Sequence, residues 1–234
     1  MVAGKVVQHG IVLIEGYTFR QVLETIQKNP VVSSKLKDLS DEEIMAALGH
    51  EGEHPEGRFY PDTYYVSRGV TDVELLTRAY DEMEKVLQQE WQQREQGLPL
   101  KTPYEALILA SIVEKESAVA EERPLIAGLF TNRLRKKMRL QTDPTVIYGI
   151  ENYDGNIRFR DLRKDTPYNT YTRHGLPPTP IALPGREAIH ATLHPEKTEY
   201  LYFVAYGDGS GRHVFSTNLK DHEKAVDLYQ RKKK

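Results

Sequence analysis

Two rhythms of apolar and polar positions run along this chain and mark out most of its elements. Val6 to Ile14 and Arg58 to Val66 are rich in β-branched and aromatic residues and read as strands. From about Asp72 to Gln96 the period lengthens: Val73, Leu76, Tyr80, Met83 and Leu87 share one stripe of an otherwise polar segment, which predicts an amphipathic helix packed on a core. Gly97-Leu98-Pro99 ends it. Near the other end, Tyr200 to Ala205 and His213 to Thr217 flank Gly207-Asp208-Gly209-Ser210-Gly211, the pattern of a hairpin. Glycines two apart also suit a phosphate cradle, but that needs a helix after them, and His213-Val214-Phe215 continues as strand.

Helix starts are written in a second code. Thr18 with Gln21, Ser40 with Glu43, Thr71 with Glu74 and Thr102 with Glu105 each place a hydroxyl cap three residues before a side chain that reaches back to it. Asn218 caps a last helix that frays into Arg231-Lys232-Lys233-Lys234. No internal repeat interrupts this order. The reading is one mixed α+β unit, in which residues 1–97 form an N-terminal part, read as a smaller subdomain, and residues 98–234 form the core.

Length and charge narrow the function classes. At about 150 residues per domain, 234 residues make one to two domains with a sizeable core. Lys plus Arg number 32 against 34 Asp plus Glu, so no chain-wide basic field holds a nucleic-acid backbone. The chain has no cysteine, which excludes disulfides, thiolate zinc sites and a cysteine nucleophile without fixing a compartment. The longest mainly apolar run, Ala106 to Val113, falls far short of the roughly 20 residues of a membrane helix, and Met-Val-Ala-Gly-Lys is no secretory signal. The expectation is a chain that does not itself span a bilayer and is the soluble part of something longer.

The most informative stretch runs from Thr102 to Ser117. Thr102 as cap and Pro103 at the first helical position start a helix that is apolar on nearly every face, hence buried, and that ends in Glu114 and Glu116. A carboxylate at the edge of a core and at the negative end of a helix has its pKa raised by desolvation and by the dipole, which makes a general acid. At about 100° per residue, Glu116 shares the stripe of Leu109, Ile112 and Val113, whereas Glu114 points roughly 160° away, toward Leu107, Ala110 and Ser111. The two do not form a pair in one cleft, and on this reasoning either could be the acid.

Arg139 to Gly149, Tyr168 to Tyr171 and Gly175 to Ile181 then place amides, hydroxyls and aromatic rings in loops bounded by Pro and Gly, the inventory of a sugar-binding cleft. Together with Ala110-Ser111-Ile112-Val113-Glu114-Lys115-Glu116, His194-Pro195, Tyr200-Leu201-Tyr202-Phe203-Val204 and Phe215-Ser216-Thr217-Asn218, they make the chain resemble the YceG-like family, the MltG endolytic murein transglycosylases of bacteria. The likeness runs over nearly the whole chain. It implies a YceG-like catalytic domain whose acid/base is the second glutamate of Glu-Lys-Glu, here Glu116, and this breaks the tie with Glu114.

The activity so implied is cleavage of the MurNAc-β-1,4-GlcNAc bond within peptidoglycan strands, leaving 1,6-anhydro ends, in the service of cell-wall synthesis and strand termination. Gln141, Asp143, Tyr148, Asn169 and Tyr171 are the candidates for lining the site. The partners would be glycan strands and wall-synthesis enzymes such as penicillin-binding proteins, on the outer face of the cytoplasmic membrane. No cofactor is implied. Family members carry an N-terminal membrane anchor and a LysM-like region, neither visible before Val6, so the chain reads as a catalytic region. Two rival readings are a two-carboxylate hydrolase, with Asp143 or Glu114 beside Glu116, and a glycan-binding module without turnover.

Two clusters draw a different reading. His190 and His194 have the i, i+4 spacing of a helical metal pair, but no Glu follows His190 and Pro195 ends the segment, so they are read as structural, with no metal. Arg133, Arg135, Lys136, Lys137 and Arg139 end a helix that follows Pro124, where cations suit the dipole; attraction to acidic wall peptides or lipid head groups is the alternative. No Gly-x-Ser-x-Gly elbow supports a serine hydrolase.

Overall fold

The computed structural model of the protein describes residues 7–231, so Val6 of the expected first strand and Lys232 to Lys234 of the expected last helix lie outside the described residues; within them the expected elements appear with trimmed or shifted ends. Strand β1 (Gln8–Val12) pairs antiparallel with β3 (Thr63–Ser67), Ile11 opposite Tyr64. Between them lie α1 (Phe19–Gln27), β2 (Val32–Ser33) and α2 (Asp41–Ala47). Strand β4 (Val70–Thr71) pairs parallel with β2 and runs into α3 (Asp72–Gln93). Capping boxes close reciprocally at Thr18, Ser40 and Thr71. At the fourth start, Thr102 accepts from the Glu105 N–H, but Glu105 takes the Lys101 N–H at 2.5 Å instead of reaching the cap backbone.

Helix α4 (Pro103–Glu116) is the central element, buried continuously from Ala106 to Val113. It packs on α3, on α5 (Arg123–Arg135) and on α8 (Arg186–Leu193). Ser111, the polar break in its apolar run, is satisfied on both sides: its hydroxyl donates to the Ile108 carbonyl at 2.7 Å and accepts from the Ile181 N–H at 3.0 Å. The break is therefore a tether for the 181 loop. Two short helices, α6 (Asp143–Tyr148) and α7 (Phe159–Arg163), precede α8. The hairpin of β5 (Tyr202–Ala205) and β6 (His213–Ser216) closes through glycines at positive φ, with a strand rather than a helix after them, and α9 (Leu219–Val226), capped by Asn218, follows.

The buried apolar side chains form two clusters. Ile11 to Tyr80, joined by Leu183, make one; Met83 to Leu193, centred on α4, make the other. Helix α3 supplies side chains to both, so a single rigid rod joins the N-terminal part to the core. Fully buried Asp72, at the start of that rod, accepts from the Lys35 and Leu36 N–H groups at 2.8–3.0 Å and pins the loop after β2. Gly128 in α5 lets the segment after α8 lie directly on the helix: a Cβ there would sit 2.3 Å from the Glu196 carbonyl oxygen. Mixed α+β architecture is thus observed, and no described helix is long and apolar enough to cross a membrane.

Candidate active site

Helix α4 ends inside the protein, and its last residue, Glu116, forms the floor of a cleft of ≈ 500 Å³. The cleft is walled by Arg133 of α5, by Gln141, Asp143 and Tyr171, by the β5–β6 hairpin through Tyr202 and His213, and by His222 of α9. A larger hollow, ≈ 860 Å³, lies between α5 and residues 195–199 and holds none of the sequence-selected site residues.

The cleft poises Glu116 for proton exchange. Burial pushes its carboxyl up, Asp143 adds like charge, and the Thr142 hydroxyl and the Arg133 guanidinium pull back, leaving it at about 7. Arg133 sits close enough to act on that charge while its own fork is held by the main chain: it donates to the Leu140 and Leu201 carbonyls at 2.7 and 2.6 Å, to Arg139 at 3.2 Å and to Gln141 Oε1 at 3.3 Å. Its guanidinium also lies 5.2 Å from the Tyr202 ring centroid. Beside it, the Tyr171 hydroxyl donates to Asp143 Oδ1 at 2.5 Å.

Glu114 faces the other way, as the helical spacing requires. Its carboxylate accepts from the Gly185 N–H at 3.0 Å and meets Arg123 at 3.4 Å, joining α4 to the entry of α8. Burial raises its pKa as well, with the Gly185 N–H as the main counterweight, but it opens away from the cleft that holds Glu116.

Of the five proposed lining residues, Gln141, Asp143 and Tyr171 meet around Glu116; Tyr148 and Asn169 do not. Tyr148 ends α6 and donates to buried Glu56 at 3.0 Å, packing edge-on against Tyr168. Helix α6 thus points Asp143 and Tyr148 to different places from its two ends. Asn169 is buried: its amide nitrogen donates to the Asp161, Leu162 and Lys164 carbonyls at 2.7–3.2 Å and its oxygen accepts from the Tyr171 N–H. It fixes the loop that carries Tyr171 and has no donor left for a ligand.

The basic run divides in the same way. Arg135, Lys136, Lys137 and Arg139 are exposed at the end of α5, whereas Arg133 is buried in the cleft wall. Arg133 does lie in the last turn of α5, as the helix-end reading expects, but its side chain turns inward onto the Leu140 and Leu201 carbonyls. Thr142, Tyr202, His213 and His222 were not selected as site residues from the sequence. The signal for Thr142 lay in plain view between two chosen neighbours. For the others, only the return of the hairpin and of α9 onto α4 could reveal it.

The cleft thus sets one carboxyl raised to about 7, Glu116, beside a second, Asp143, among amide, hydroxyl and aromatic groups. The YceG-like family model matches residues 1–228, and the chain belongs to the YceG-like family. It is similar to the endolytic murein transglycosylase of Bacillus subtilis, with 34% identity over 214 residues, covering 91% of this chain and 59% of the relative. It is also 34% identical over 177 residues to the endolytic murein transglycosylase of Streptococcus pneumoniae D39, covering 73% of this chain and 31% of that one. The chain therefore spans about three fifths and under a third of these relatives. The crystal structure of a yceG-like protein from Listeria monocytogenes superposes with a TM-score of 0.75 at 33% identity, covering 92% of this chain and 75% of that one.

Proposed function

We propose that the chain is the catalytic part of an endolytic lytic transglycosylase of peptidoglycan. The reading rests on one observation above the others: Glu116 reaches the cleft with its pKa near 7, while Glu114 is tied up on the opposite side of the helix. Protonated Glu116 gives its proton to the glycosidic oxygen as the bond to the MurNAc C1 breaks; the carboxylate so formed then accepts the proton of the MurNAc C6 hydroxyl, whose oxygen closes on C1. The proton returns to Glu116, no water is consumed, and the products are a free GlcNAc hydroxyl and a 1,6-anhydro-MurNAc end. The Asp143–Tyr171 pair and Gln141 provide the dipoles and negative charge that face the developing oxocarbenium, and the Tyr202 ring offers a stacking surface for a sugar face. Tyr148 and Asn169 support the site from behind.

Asp143 shares the cleft with Glu116, which keeps a two-carboxylate hydrolase as the competing chemistry; Glu114 is unsuited to it because its carboxylate is engaged elsewhere. Digestion of purified glycan strands in heavy-oxygen water, read by mass spectrometry, separates the two. Internal fragments ending in 1,6-anhydro-MurNAc, lighter by one water and unlabelled, are expected. Reducible, labelled MurNAc ends would establish the hydrolase, and binding without fragments a glycan-binding module. The same reading places the site on the outer face of the cytoplasmic membrane, beside penicillin-binding proteins, with strand termination as its role.

A further inference from the structure

On the packed face between α3 and α8, away from the Glu116 cleft, three side chains from distant parts of the sequence converge. His190, in the last turn of α8, and His194, its C-cap, stack their imidazoles with ring centroids 4.4 Å apart. Buried Glu90 of α3, a hundred positions earlier, faces them, and its Oε2 lies 2.8 Å from His190 Nδ1. One donor atom from each of Glu90, His190 and His194 falls within 4.8 Å of the other two. None of the three lines the cleft of Glu116.

We propose that Glu90, His190 and His194 form a binding site for a divalent transition-metal ion of the zinc class. Two imidazole nitrogens and one carboxylate oxygen are a borderline donor set that suits Zn²⁺ or Co²⁺ and is poor for Mg²⁺ or Ca²⁺, which take oxygen cages. The sequence showed only the i, i+4 histidine pair and no glutamate beside it; α3 supplies the missing carboxylate through tertiary packing. A second observation points the same way: His194 Nε2 is buried with no hydrogen-bond partner, an atom that a cation would satisfy.

Bonds of about 2.0–2.1 Å to a tetrahedral ion put donors about 3.4 Å apart, so donors now within 4.8 Å must close by up to about 1.4 Å while the 2.8 Å contact of His190 Nδ1 with Glu90 opens. Exposed His190 is free to make that movement, since its side chain is 58% exposed. Arg186 holds the other oxygen of Glu90 at 2.8 Å and keeps the carboxylate oriented. The ion takes the place of the direct contact between His190 Nδ1 and Glu90 Oε2. Its work is mechanical: it joins α3 to the end of α8, just before Pro195 leads the chain onto α5, and the fourth position stays open to water.

Calorimetric titration of the protein with Zn²⁺, and with Co²⁺ as a visible reporter, tests the site. One saturable equivalent is expected, with a rise in melting temperature and a Co²⁺ absorption band. His190→Gln removes an exposed side chain and leaves the fold unchanged by circular dichroism; it should weaken binding at least tenfold and abolish the melting shift. His194→Gln should do the same. Absence of saturable binding, or equal affinity and equal melting shift in His190→Gln, would overturn the assignment, since the ion would then sit on other histidines or nowhere.

Discussion

The hydroxyl of Thr142 donates to the carboxylate of Glu116 across the base of the cleft, linking the residue before α6 to the end of α4 over 26 positions of sequence. Thr142 is itself held, its N–H donating to the Thr170 hydroxyl at 3.1 Å, so the bond reaches Glu116 from a fixed point. This hydrogen bond favours the charged form and opposes the burial that raises the carboxyl toward 7. Replacing Thr142 with Val keeps the shape and removes the donor. The pKa that governs the falling alkaline limb of kcat/KM should move upward, while KM changes little. An unmoved pH profile would mean that the bond does not act on the catalytic proton.

Glu116→Gln should retain the fold and lose turnover on glycan strands by about 10²-fold or more, because the amide has no transferable proton. Glu114→Gln should behave in the opposite way. It weakens the link to Gly185 and Arg123, lowering the melting temperature, and leaves turnover within a few-fold. Activity measured at a temperature where both variants are folded decides the assignment, and a dead Glu114→Gln beside an active Glu116→Gln would reverse it.

Buried Glu56 and part-buried Glu116 both contribute to the pH dependence of stability. Burial raises both Glu56 and Glu116 from 4.5 to about 7. Between those values the folded state holds more protons than the unfolded one, so stability is full below about 4.5 and falls as pH rises through 7. Glu56→Gln and Glu116→Gln should each stabilise the protein at pH 8 relative to pH 5, by about 1–3 kcal/mol per site at most. Chemical denaturation at the two pH values reads this directly; equal slopes in the wild type and both variants would refute it.

Gly128→Ala tests the seat of the 195–199 segment on α5. The new methyl carbon would meet the Glu196 carbonyl, a backbone atom that cannot rotate away, so the segment must lift. Although alanine is the better helix former, a net loss of about 1–3 kcal/mol is expected in urea unfolding. A stabilised variant would show that the segment yields freely.

Asn169→Ala separates scaffold from substrate contact. Removing the amide takes the donor from three part-buried carbonyls and loosens the loop of Tyr171, which should cost about 1–3 kcal/mol of stability. Tyr171→Phe should leave stability nearly intact and reduce turnover. The reverse pattern in paired melting and sacculus-turnover assays would place Asn169 at the sugar.

The sequence by itself determined whatever depends on near neighbours. Caps at Thr18, Ser40, Thr71, Thr102 and Asn218, the turn at Gly207 to Gly211, the buried character of α4 and the divergence of Glu114 from Glu116 all follow from spacings within a few residues. Local hydrogen bonds and a helix's fixed angle per residue leave little for the rest of the chain to change. Tertiary structure alone decided which residues surround each carboxylate. Thr142 and Arg133 flank Glu116, Tyr148 goes to Glu56, and Glu90 meets His190 and His194, because desolvation and long-range packing choose partners by position in space. Arg133 and Arg135 look alike in the sequence, yet one is buried among carbonyl oxygens while the other stays exposed with a single bond to the Gly97 carbonyl, a difference fixed only by the surface against which α5 comes to rest.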